Sequence, residues 1–415
     1  MEMQKNNQQI YVEIDACRLC LSKNLQDVLD LGAQPPANSL RKDLNEPVPC
    51  APLKLVQCGH CSAVQLTATV DPSYLFSQYV WVTATSATAR IYSETYCNEV
   101  LNRSEVESAF VVEVASNDGT FLKKFKDKGC EILGVDPAQN IAINATNAGI
   151  PTLSEFFDVT IAKKILDEYR RPNIVMARNV IPHVKEIHSI AEGMASMIDD
   201  DGLVVIEFHY AKIIAEQLHY DSIYHEHLFY FSIKSLSALF EQYGLYPFDA
   251  FDSPISGGSL VLFFSKQKKE PSIALRRLIV IEESSGLNEC STWQKFGKKS
   301  QQHSKNLKDI IAKYAKSGGL IAYGASARSS TLMNFAGISS NEIEYVIDRN
   351  PLKHFLYTPG TNIPIISYEK GLEKLEGKNL LLLAWNFEEE VVQDLRASGF
   401  KGDIIVPLPS KVHIR

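Results

Sequence analysis

The sequence predicts an α/β protein of three domains, and three observations favour this fold class. The chain has 415 residues, a length that suits two or three domains. Four of its eight cysteines form two Cys-x-x-Cys pairs between residues 17 and 61, in a stretch rich in proline and turn residues. Two later stretches, from about 105 to 265 and from about 319 to 415, alternate apolar runs with helical patterns, as parallel sheets covered by helices do. We therefore predict domains at residues 1–72, 73–265 and 266–415.

Two Cys-x-x-Cys pairs mark the N-terminal domain. Cys17 and Cys20 are separated by 37 residues from Cys58 and Cys61. Four thiolates suit one tetrahedral Zn²⁺, and a site closed by four sulfur ligands is structural rather than catalytic. Few clear strand or helix patterns precede Ser73, so we expect a small domain that depends on this metal. Two unrelated pairs, or redox-active dithiols, are the alternatives.

The second domain is predicted from four β-rich runs and the helical patterns between them. Ligands of such folds bind beyond the C-terminal ends of parallel strands, so the residues that follow each strand are the candidates for binding. The predicted strands are Phe110–Ala115, Glu131–Asp136, Asn173–Ala177 and Gly202–Phe208, and two predicted helices are Thr120–Lys128 and Glu186–Ile198.

The turn after the first of these strands is a candidate ligand site. Ala115 and Gly119 are small enough for a ligand to approach the backbone, and the following helix offers free N–H groups. Asp136 ends the second strand, where a carboxylate can bind both ribose hydroxyls of an adenosyl ligand. No Gly-x-Gly-x-x-Gly motif is present, so S-adenosylmethionine is favoured over a nicotinamide cofactor. An ordinary strand–turn–helix corner is the alternative. The predicted S-adenosylmethionine site consists of Glu113, Ala115, Asn117, Asp118, Gly119, Asp136, Pro137 and Asn179.

Polar, titratable residues follow the next two strands. The segment 177–183 reads ARNVIPH, and the segment 224–227 reads YHEH. Three adjacent ionisable side chains are costly to bury without partners, which indicates a functional site. One imidazole can act as general base while a neighbour orients it; a second metal site is the alternative, but no further Cys or His spacing completes it. We interpret three other histidines as structural residues: His188, His209 and His219.

A third set of elements predicts the C-terminal domain. A long amphipathic stretch, 272–316, is interrupted near Gly286. The YGASAR loop that follows the first strand is not a dinucleotide fingerprint, so a nicotinamide site is disfavoured here. No close-spaced internal repeat is evident. The predicted strands are Gly319–Tyr323, Glu344–Ile347, Asn379–Ala384 and Asp403–Val406, with helices at about 326–335 and 388–397.

Charge and hydropathy argue against several partners. The net charge is -7 and no long basic block occurs, so we expect no nucleic acid and no membrane as a partner. No apolar run reaches the ~18 residues of a membrane span, and residues 1–15 lack the apolar core of a secretory leader. Clustered thiols fit a reducing compartment. We expect a cytoplasmic protein.

Taken together, the motifs resemble one family. They are CRLC, CGHC, PPANSL, PLKLVQC, SNDG, NVIPHV, YHEH, SGGSL, YGASAR, VIDRNPLKH, PGTNIPI and LAWNFEEE. Over nearly the whole chain they are similar to the S-adenosylmethionine-dependent C-methyltransferases of nucleotide-linked deoxysugars, typified by the TDP-3-amino-4-keto-hexose C-3 methyltransferases. The resemblance implies a zinc-binding domain, a central class I methyltransferase Rossmann-like domain and a C-terminal Rossmann-like α/β domain. It also implies a role in branched-chain deoxysugar biosynthesis, with a nucleotide-linked keto-deoxysugar as substrate. The sugar, its TDP or GDP carrier and the methylated carbon stay open. A monomer is expected, with a dimer as the alternative.

The resemblance further implies roles for individual residues. His227 is the expected general base, with Glu226 and Tyr224 holding the imidazole or the sugar, and His183 is expected to stabilise an enolate oxygen. Tyr79 is expected to act on the substrate, with its neighbours Tyr74 and Trp81 as alternatives. Substrate contacts are expected from Asn179, Tyr79, Gly257, Tyr323, Gly324, Ala325 and Arg328.

Two positions depart from the family pattern. Arg328 stands where the family commonly has Lys, and Ser256 stands where it often has His. Arginine keeps a positive charge that suits a phosphate, so these departures affect the expected sugar or carrier more than the reaction class. An O- or N-methyltransferase of another small molecule is the alternative function. A zinc-dependent, non-catalytic binding protein is the second alternative.

Overall fold

Antiparallel strands build the N-terminal domain. The computed structural model describes residues 10–76, 83, 86–104 and 106–415. Its first elements are β1 (Tyr11–Glu13), β2 (Leu25–Gln34), β3 (Ala51–Cys58), β4 (Val64–Leu66), β5 (Ala68–Val70), α1 (Pro72–Phe76) and α2 (Ala87–Leu101). Strand β3 lies between β2 and β4 in one sheet, and β1 pairs with β5 in a second. All of these pairings are antiparallel.

The N-terminal domain is rich in strands although few clear strand patterns precede Ser73 in the sequence. Strand β2 has 10 residues and β3 has 8. The pairing between them shifts register twice, between Asp27 and Leu29 and between Asp30 and Ala33. Each bulge inserts a residue and breaks the alternation of buried and exposed side chains. The period-2 pattern that identifies a strand is therefore absent from this part of the sequence.

A seven-stranded sheet forms the centre of the second domain. Its order is β12-β13-β10-β9-β6-β7-β8. Strands β6 to β10 are parallel, and β13 is antiparallel to β10. The four predicted strands are confirmed to within one residue at each end. The elements are β6 (Phe110–Val114), α3 (Thr120–Asp127), β7 (Glu131–Val135), α4 (Gln139–Asn147), β8 (Thr152–Leu153), α5 (Val159–Glu168), β9 (Ile174–Arg178), α6 (Ile187–Met197), β10 (Leu203–His209), α7 (Ala211–Glu216), β11 (Phe229–Tyr230), α8 (Ile233–Glu241), β12 (Tyr246–Ser253) and β13 (Ser259–Ser265).

The C-terminal domain repeats this strand order. Its sheet runs β16-β15-β14-β17-β18-β19, and β14 to β18 are parallel. Its first five strands in the chain, β14 to β18, are ordered β16-β15-β14-β17-β18. The first five strands of the central sheet have the same order, β8-β7-β6-β9-β10. Two helices, α9 (Ile273–Ser284) and α10 (Cys290–Lys316), precede it. The remaining elements are β14 (Leu320–Tyr323), α11 (Ala327–Ala336), β15 (Val346–Ile347), β16 (Ile365–Ile366), α12 (Tyr368–Leu372), β17 (Asn379–Leu382), α13 (Glu388–Ala397), β18 (Ile404–Val406) and β19 (His413–Ile414).

The three domains share one apolar core. Helix α10 packs on β2 so closely that a Cβ at Gly297 would collide with the carbonyl oxygen of Val28. Strand β11 leaves the central domain and pairs with β4 at the edge of the N-terminal sheet. The zinc-domain sheet is thereby joined to the segment 224–230, which contains YHEH. Among the residues that the structure describes, no helix has the length and apolar character needed to cross a bilayer.

Candidate active site

The segment 221–230 is held by all three domains. The backbone N–H of Leu228 donates to the carbonyl of Pro182 in the loop after β9 (2.8 Å). Its strand β11 pairs with β4 of the N-terminal domain. From α11 of the C-terminal domain, the hydroxyl of Thr331 donates to the carbonyl of Ile223 (3.0 Å). Contacts from three sides fix the backbone of this segment, as a catalytic group that must be held in one orientation requires.

Both ring nitrogens of His227 are hydrogen-bonded. Nδ1 lies 3.1 Å from the carbonyl oxygen of Ser222, and Nε2 lies 2.7 Å from the hydroxyl of Tyr224. A carbonyl oxygen can only accept, so Nδ1 carries the proton and Nε2 accepts from Tyr224. Burial, with smaller contributions from His183 and His209, holds the pKa of His227 well below its ordinary value. The imidazole is therefore neutral and positioned to receive the Tyr224 proton.

His183 lies against His227 in a short 3-10 turn, Ile181–His183. The two ring centroids are 4.7 Å apart with their planes at 82°. Nδ1 of His183 is buried and has no hydrogen-bond partner in the described part of the chain, and burial lowers the pKa of this residue to about 4. Asn179 precedes the turn with a left-handed φ of 51°, and its N–H donates to the carbonyl of Glu207 (2.7 Å). A neutral imidazole with an unpaired nitrogen is suited to a polar ligand atom.

Glu226 contacts the N-terminal domain. Its Oε1 accepts a hydrogen bond from the side-chain amide of Asn38 (2.6 Å), which belongs to the PPANSL motif. Burial raises the pKa of Glu226 to about 7. The contacts that orient the His227 ring come from Ser222 and Tyr224, so Glu226 does not hold that ring in this structure.

Two further histidines complete the cluster, although we interpreted them from the sequence as structural residues. His209 ends β10, and its ring centroid lies 5.9 Å from that of His219. His219 in turn lies 4.8 Å from the ring of Trp385. A Cβ at Gly257, in the SGGSL motif, would begin 3.8 Å from Cε1 of His219. In contrast, His188 has partners for both ring nitrogens, in agreement with a structural role.

The turn after β6 is strained in a way that opens its backbone. Ala115 and Asn117 have left-handed φ values of 54° and 51°, and Gly119 has 74°. At Gly119 a Cβ would lie 2.7 Å from Cγ2 of Ile150, so only glycine fits there. Non-glycine residues with positive φ are uncommon and concentrate at ligand sites. Helix α3 begins directly after this turn and directs its first N–H groups toward it.

Asp136 organises the second side of this corner. Its carboxylate accepts backbone hydrogen bonds from Asn117 and Ala138, both at 2.9 Å. Burial raises its pKa. Pro137 follows it, half-buried, and Asp118 accepts a hydrogen bond from the first residue of α3 (3.1 Å). The carboxylate holds the two loops together and retains lone pairs for ribose hydroxyls, so the corner fits an adenosyl ligand.

Glu113 is buried beneath the same corner. The guanidinium of Arg178 lies 3.8 Å from Glu113 and 2.8 Å from Glu207. Burial raises the pKa of Glu113 to about 8. Glu113 is therefore mostly protonated near pH 7, Arg178 forms its close ion pair with Glu207, and the neutral Glu113 carboxyl can exchange hydrogen bonds with a ligand.

The four cysteines of the N-terminal domain form a single cluster. Their sulfur atoms all lie within 4.8 Å of one another. Two contacts join the pairs: Cys17 to Cys61 at 3.6 Å and Cys20 to Cys58 at 3.5 Å. Zn–S bonds of about 2.3 Å in a tetrahedron place sulfur atoms roughly 3.8 Å apart, so the residues fit zinc. Cross-pair contacts argue against two separate dithiols.

The YGASAR loop repeats the geometry of the first turn. Gly324 has φ of 100°, and a Cβ there would lie 2.7 Å from that of Ala384. The N–H of Ala325 donates to the carboxylate of Asp348 at the end of β15 (2.8 Å), as Asn117 does to Asp136. Tyr323 ends β14 and is buried. The predicted loop residues therefore lie together at the C-terminal edge of the second parallel sheet.

Arg328 spans the two large domains. Its Nε and Nη2 donate to the two carboxylate oxygens of Asp221, each at 3.0 Å. The indole N–H of Trp385 donates to the same carboxylate (2.8 Å). Nη1 lies 3.4 Å from the carbonyl oxygen of Ser256. Only one edge of the guanidinium is thus directed toward the SGGSL loop, while the other edge ties α11 to segment 221–230.

One predicted site residue, Tyr79, lies outside the described residues, as does its alternative Trp81.

Comparison with known proteins assigns all three domains. Residues 17–76 match the family model of a zinc binding domain, residues 89–248 that of a methyltransferase domain, and residues 254–409 that of the C-methyltransferase C-terminal domain. The chain is an S-adenosylmethionine-dependent C-methyltransferase with these three domains. It is 29% identical to C-methyltransferase NovU of Streptomyces niveus over 411 residues, 97% of each chain.

Other known proteins are similar to parts of this C-methyltransferase. The ubiquinone biosynthesis O-methyltransferase of Bradyrhizobium diazoefficiens is 29% identical over 97 residues, 23% of this chain and 38% of that protein. The solved structure of the PH0226 protein from Pyrococcus horikoshii is 14% identical, with a TM-score of 0.37, and covers 47% of this chain and 99% of that chain.

Asp136→Asn tests the donor site of this methyltransferase. We expect the affinity for S-adenosylmethionine to fall by about ten-fold or more, because hydrogen bonds to a charged acceptor stabilise more than neutral ones. Isothermal titration calorimetry measures the change. Asp127→Asn, at the exposed end of α3, is the control and should bind like wild type. Equal affinities for the two variants would remove Asp136 from the site.

Proposed function

We propose that this C-methyltransferase adds a methyl group to the carbon beside the keto group of a nucleotide-linked 4-keto-deoxysugar, with C-3 as the expected carbon. The observation that carries the proposal is the hydrogen bond between the Tyr224 hydroxyl and Nε2 of His227 (2.7 Å). Methylation on carbon requires a base because a proton must leave that carbon, and this pair can accept one. The sugar class rests on the motifs that resemble the deoxysugar family.

The proton leaves the substrate through Tyr224. A neighbouring carbonyl acidifies the sugar C–H bond, and the Tyr224 oxygen takes that proton while its own proton passes to Nε2 of His227. The imidazolium that forms is stabilised by the Ser222 carbonyl, which accepts from Nδ1. The base is thus the Tyr224–His227 pair, with the tyrosine oxygen facing the substrate. An isolated imidazole at 227 would need to break this hydrogen bond first.

His183 is placed to stabilise the enolate. Its ring lies beside that of His227 and its Nδ1 has no partner in the described chain. In the tautomer with the proton on Nδ1 this nitrogen donates to the enolate oxygen, and a donor in a buried site acts strongly on developing charge. S-adenosylmethionine, when bound, supplies an electrophilic methyl group: the enolate carbon's electron pair forms the new C–C bond, and the C–S pair stays on sulfur. Glu113, Asp136 and the turn after β6 are the residues that would hold it.

Hydrogen exchange tests the proposal before methyl transfer. The enzyme is incubated in D₂O with a TDP-linked 4-keto-deoxysugar and S-adenosylhomocysteine. We expect one deuterium to enter the sugar beside the carbonyl, detected by mass spectrometry, and none in the 4-hydroxy sugar, which cannot enolise. With S-adenosylmethionine, only the keto sugar should gain a methyl group on carbon. Methylation of the 4-hydroxy sugar on oxygen would instead establish an O-methyltransferase.

A further inference from the structure

His219 and His209 form a polar pair that the mechanism above does not use. His219 is fully buried, and neither of its ring nitrogens has a hydrogen-bond partner among the described residues. Nε2 of His209, which is 9% exposed, also lacks a partner in the described chain. Buried polar atoms are nearly always paired because an unpaired one is costly. Structural histidines such as His188 and His303 have both nitrogens bonded.

The surroundings of this pair are those of an anion site. Nη1 of Arg328 would lie 3.9 Å from a Cβ at Gly257, and Cε1 of His219 would lie 3.8 Å from it. The loop between these two groups has three successive positive φ values, at Ser256, Gly257 and Gly258 (59°, 80° and 128°). Its backbone leaves the space beside Gly257 free of side chain. Two imidazoles and one guanidinium edge therefore border the same small region.

The position of the pair identifies which part of the substrate reaches it. His209 ends β10 at the edge of the sheet where ligands bind, and it is close enough to His227 to affect that residue's pKa. On the other side, His219 contacts Trp385, and Arg328 lies in the first turn of α11 after the YGASAR loop. The pair thus lies between the base that acts on the sugar and the C-terminal loop. The group between sugar and nucleoside in the substrate is the diphosphate.

We infer that His209 and His219, together with Nη1 of Arg328, bind the diphosphate of the nucleotide-linked substrate. The inference rests on the proposed function. Asp221 already neutralises most of the Arg328 guanidinium, so arginine alone supplies little net charge. Imidazole N–H donors complete the site, and a bound diphosphate accounts for the buried ring nitrogens of His219 and for Nε2 of His209, which have no partner among the described residues.

Selective binding of diphosphates tests this inference. The full-length, zinc-loaded protein is titrated calorimetrically with TDP and thymidine, and with UDP, GDP and their nucleosides. We expect wild type to bind at least one diphosphate more tightly than its nucleoside. His219→Phe and His209→Phe should each reduce that diphosphate affinity by about ten-fold or more, the effect of losing a hydrogen bond to a charged group, and leave nucleoside affinity unchanged. His219→Gln retains an N–H donor and should lose less.

His188→Phe is the matched control, since it removes a half-buried imidazole whose nitrogens are bonded to Tyr243 and to the Arg18 carbonyl. S-adenosylhomocysteine affinity reports whether each variant folds, and His219→Gln replaces His219→Phe if the latter does not. Three results would each overturn the inference. The folded variants could bind diphosphate as tightly as wild type, they could lose affinity for diphosphate and nucleoside equally, or wild type could show no preference for the diphosphate. Turnover tests the proposed function separately. If the protein binds diphosphate through His219 but methylates no keto sugar, the diphosphate site stands and the proposed function does not.

Discussion

Tyr224→Phe is expected to lower the rate of methyl transfer by about 10²- to 10⁴-fold, the range that a positioned acid–base group contributes. The substitution removes the oxygen that takes the substrate proton and leaves the ring in place. It also leaves Nε2 of His227 without its hydrogen-bond partner. Affinity for S-adenosylmethionine should not change, because the donor corner lies at the ends of β6 and β7. Product formation is followed by mass spectrometry and donor affinity by calorimetry.

Tyr230→Phe is the matched control for this experiment. Tyr230 is also buried, and its hydroxyl donates to the same Ser222 carbonyl at 3.4 Å, but it does not bond His227. Its loss should affect turnover little. A Tyr224→Phe enzyme as active as Tyr230→Phe would show that the tyrosine oxygen is not part of the base.

The partner of Tyr224 can be tested by a double-mutant cycle. His227→Asn should slow turnover as much as Tyr224→Phe, since a tyrosine without its acceptor does not transfer its proton. If the two residues act as one unit, the double variant is no slower than either single variant. Independent, additive losses would contradict a shared proton path and favour separate roles.

Elements with a simple period were predictable from the sequence. The parallel strands of the central sheet are buried on both faces and are mostly apolar, such as Phe110–Val114 and Leu203–His209. Helix α13, residues 388–397, was predicted without error because acidic residues begin it and an apolar stripe follows. Strand β11 was missed, since two residues that pair with β4 carry no local signal. Strand β11 forms because the N-terminal domain packs beside this segment and supplies β4 as its partner.

The candidate site was predictable where several ionisable residues are adjacent in the sequence. YHEH contains both members of the Tyr224–His227 pair, and the cysteine spacing identifies the metal cluster. Partners distant in the chain were not predictable: Glu226 contacts Asn38, 188 residues away, and Arg328 contacts Asp221, 107 residues away. A single histidine such as His219 is ambiguous in sequence, because only its tertiary surroundings reveal whether its nitrogens are satisfied.

The two Rossmann-like sheets share a structural repeat that is not visible in the sequence. In each, an aspartate at the end of the second strand accepts a backbone N–H from the turn after the first strand, at 2.9 Å for Asp136 and 2.8 Å for Asp348. Each also accepts from the residue two positions later. This hydrogen-bond geometry requires only the aspartate and the turn conformation, so the surrounding residues can differ between the two domains. Shared strand order therefore persists without shared sequence.

Loss of zinc is expected to have the second large effect, and it should reach the active site. Structural zinc sites contribute apparent binding free energies of about 10–16 kcal/mol at pH 7, as much as the total stability of a typical domain. The amide of Gln65 donates to the sulfur of Cys17 (3.0 Å), and Gln65 pairs with Phe229 in β11. Phe229 is two residues from His227. The metal cluster is thus linked through β4 to the backbone that positions the base.

Cys58→Ser should therefore lose zinc, unfold at a lower temperature and fail to turn over, and chelation of the wild-type metal should do the same. Cys50→Ser is the matched control, because Cys50 is exposed and lies outside the cluster. Metal content is measured by mass spectrometry of the protein digest, and stability by thermal unfolding. Because ordering of β4 carries the metal's effect to His227, turnover should fall together with the fraction of bound zinc. A metal-free Cys58→Ser enzyme with wild-type stability and turnover would separate the cluster from both folding and catalysis.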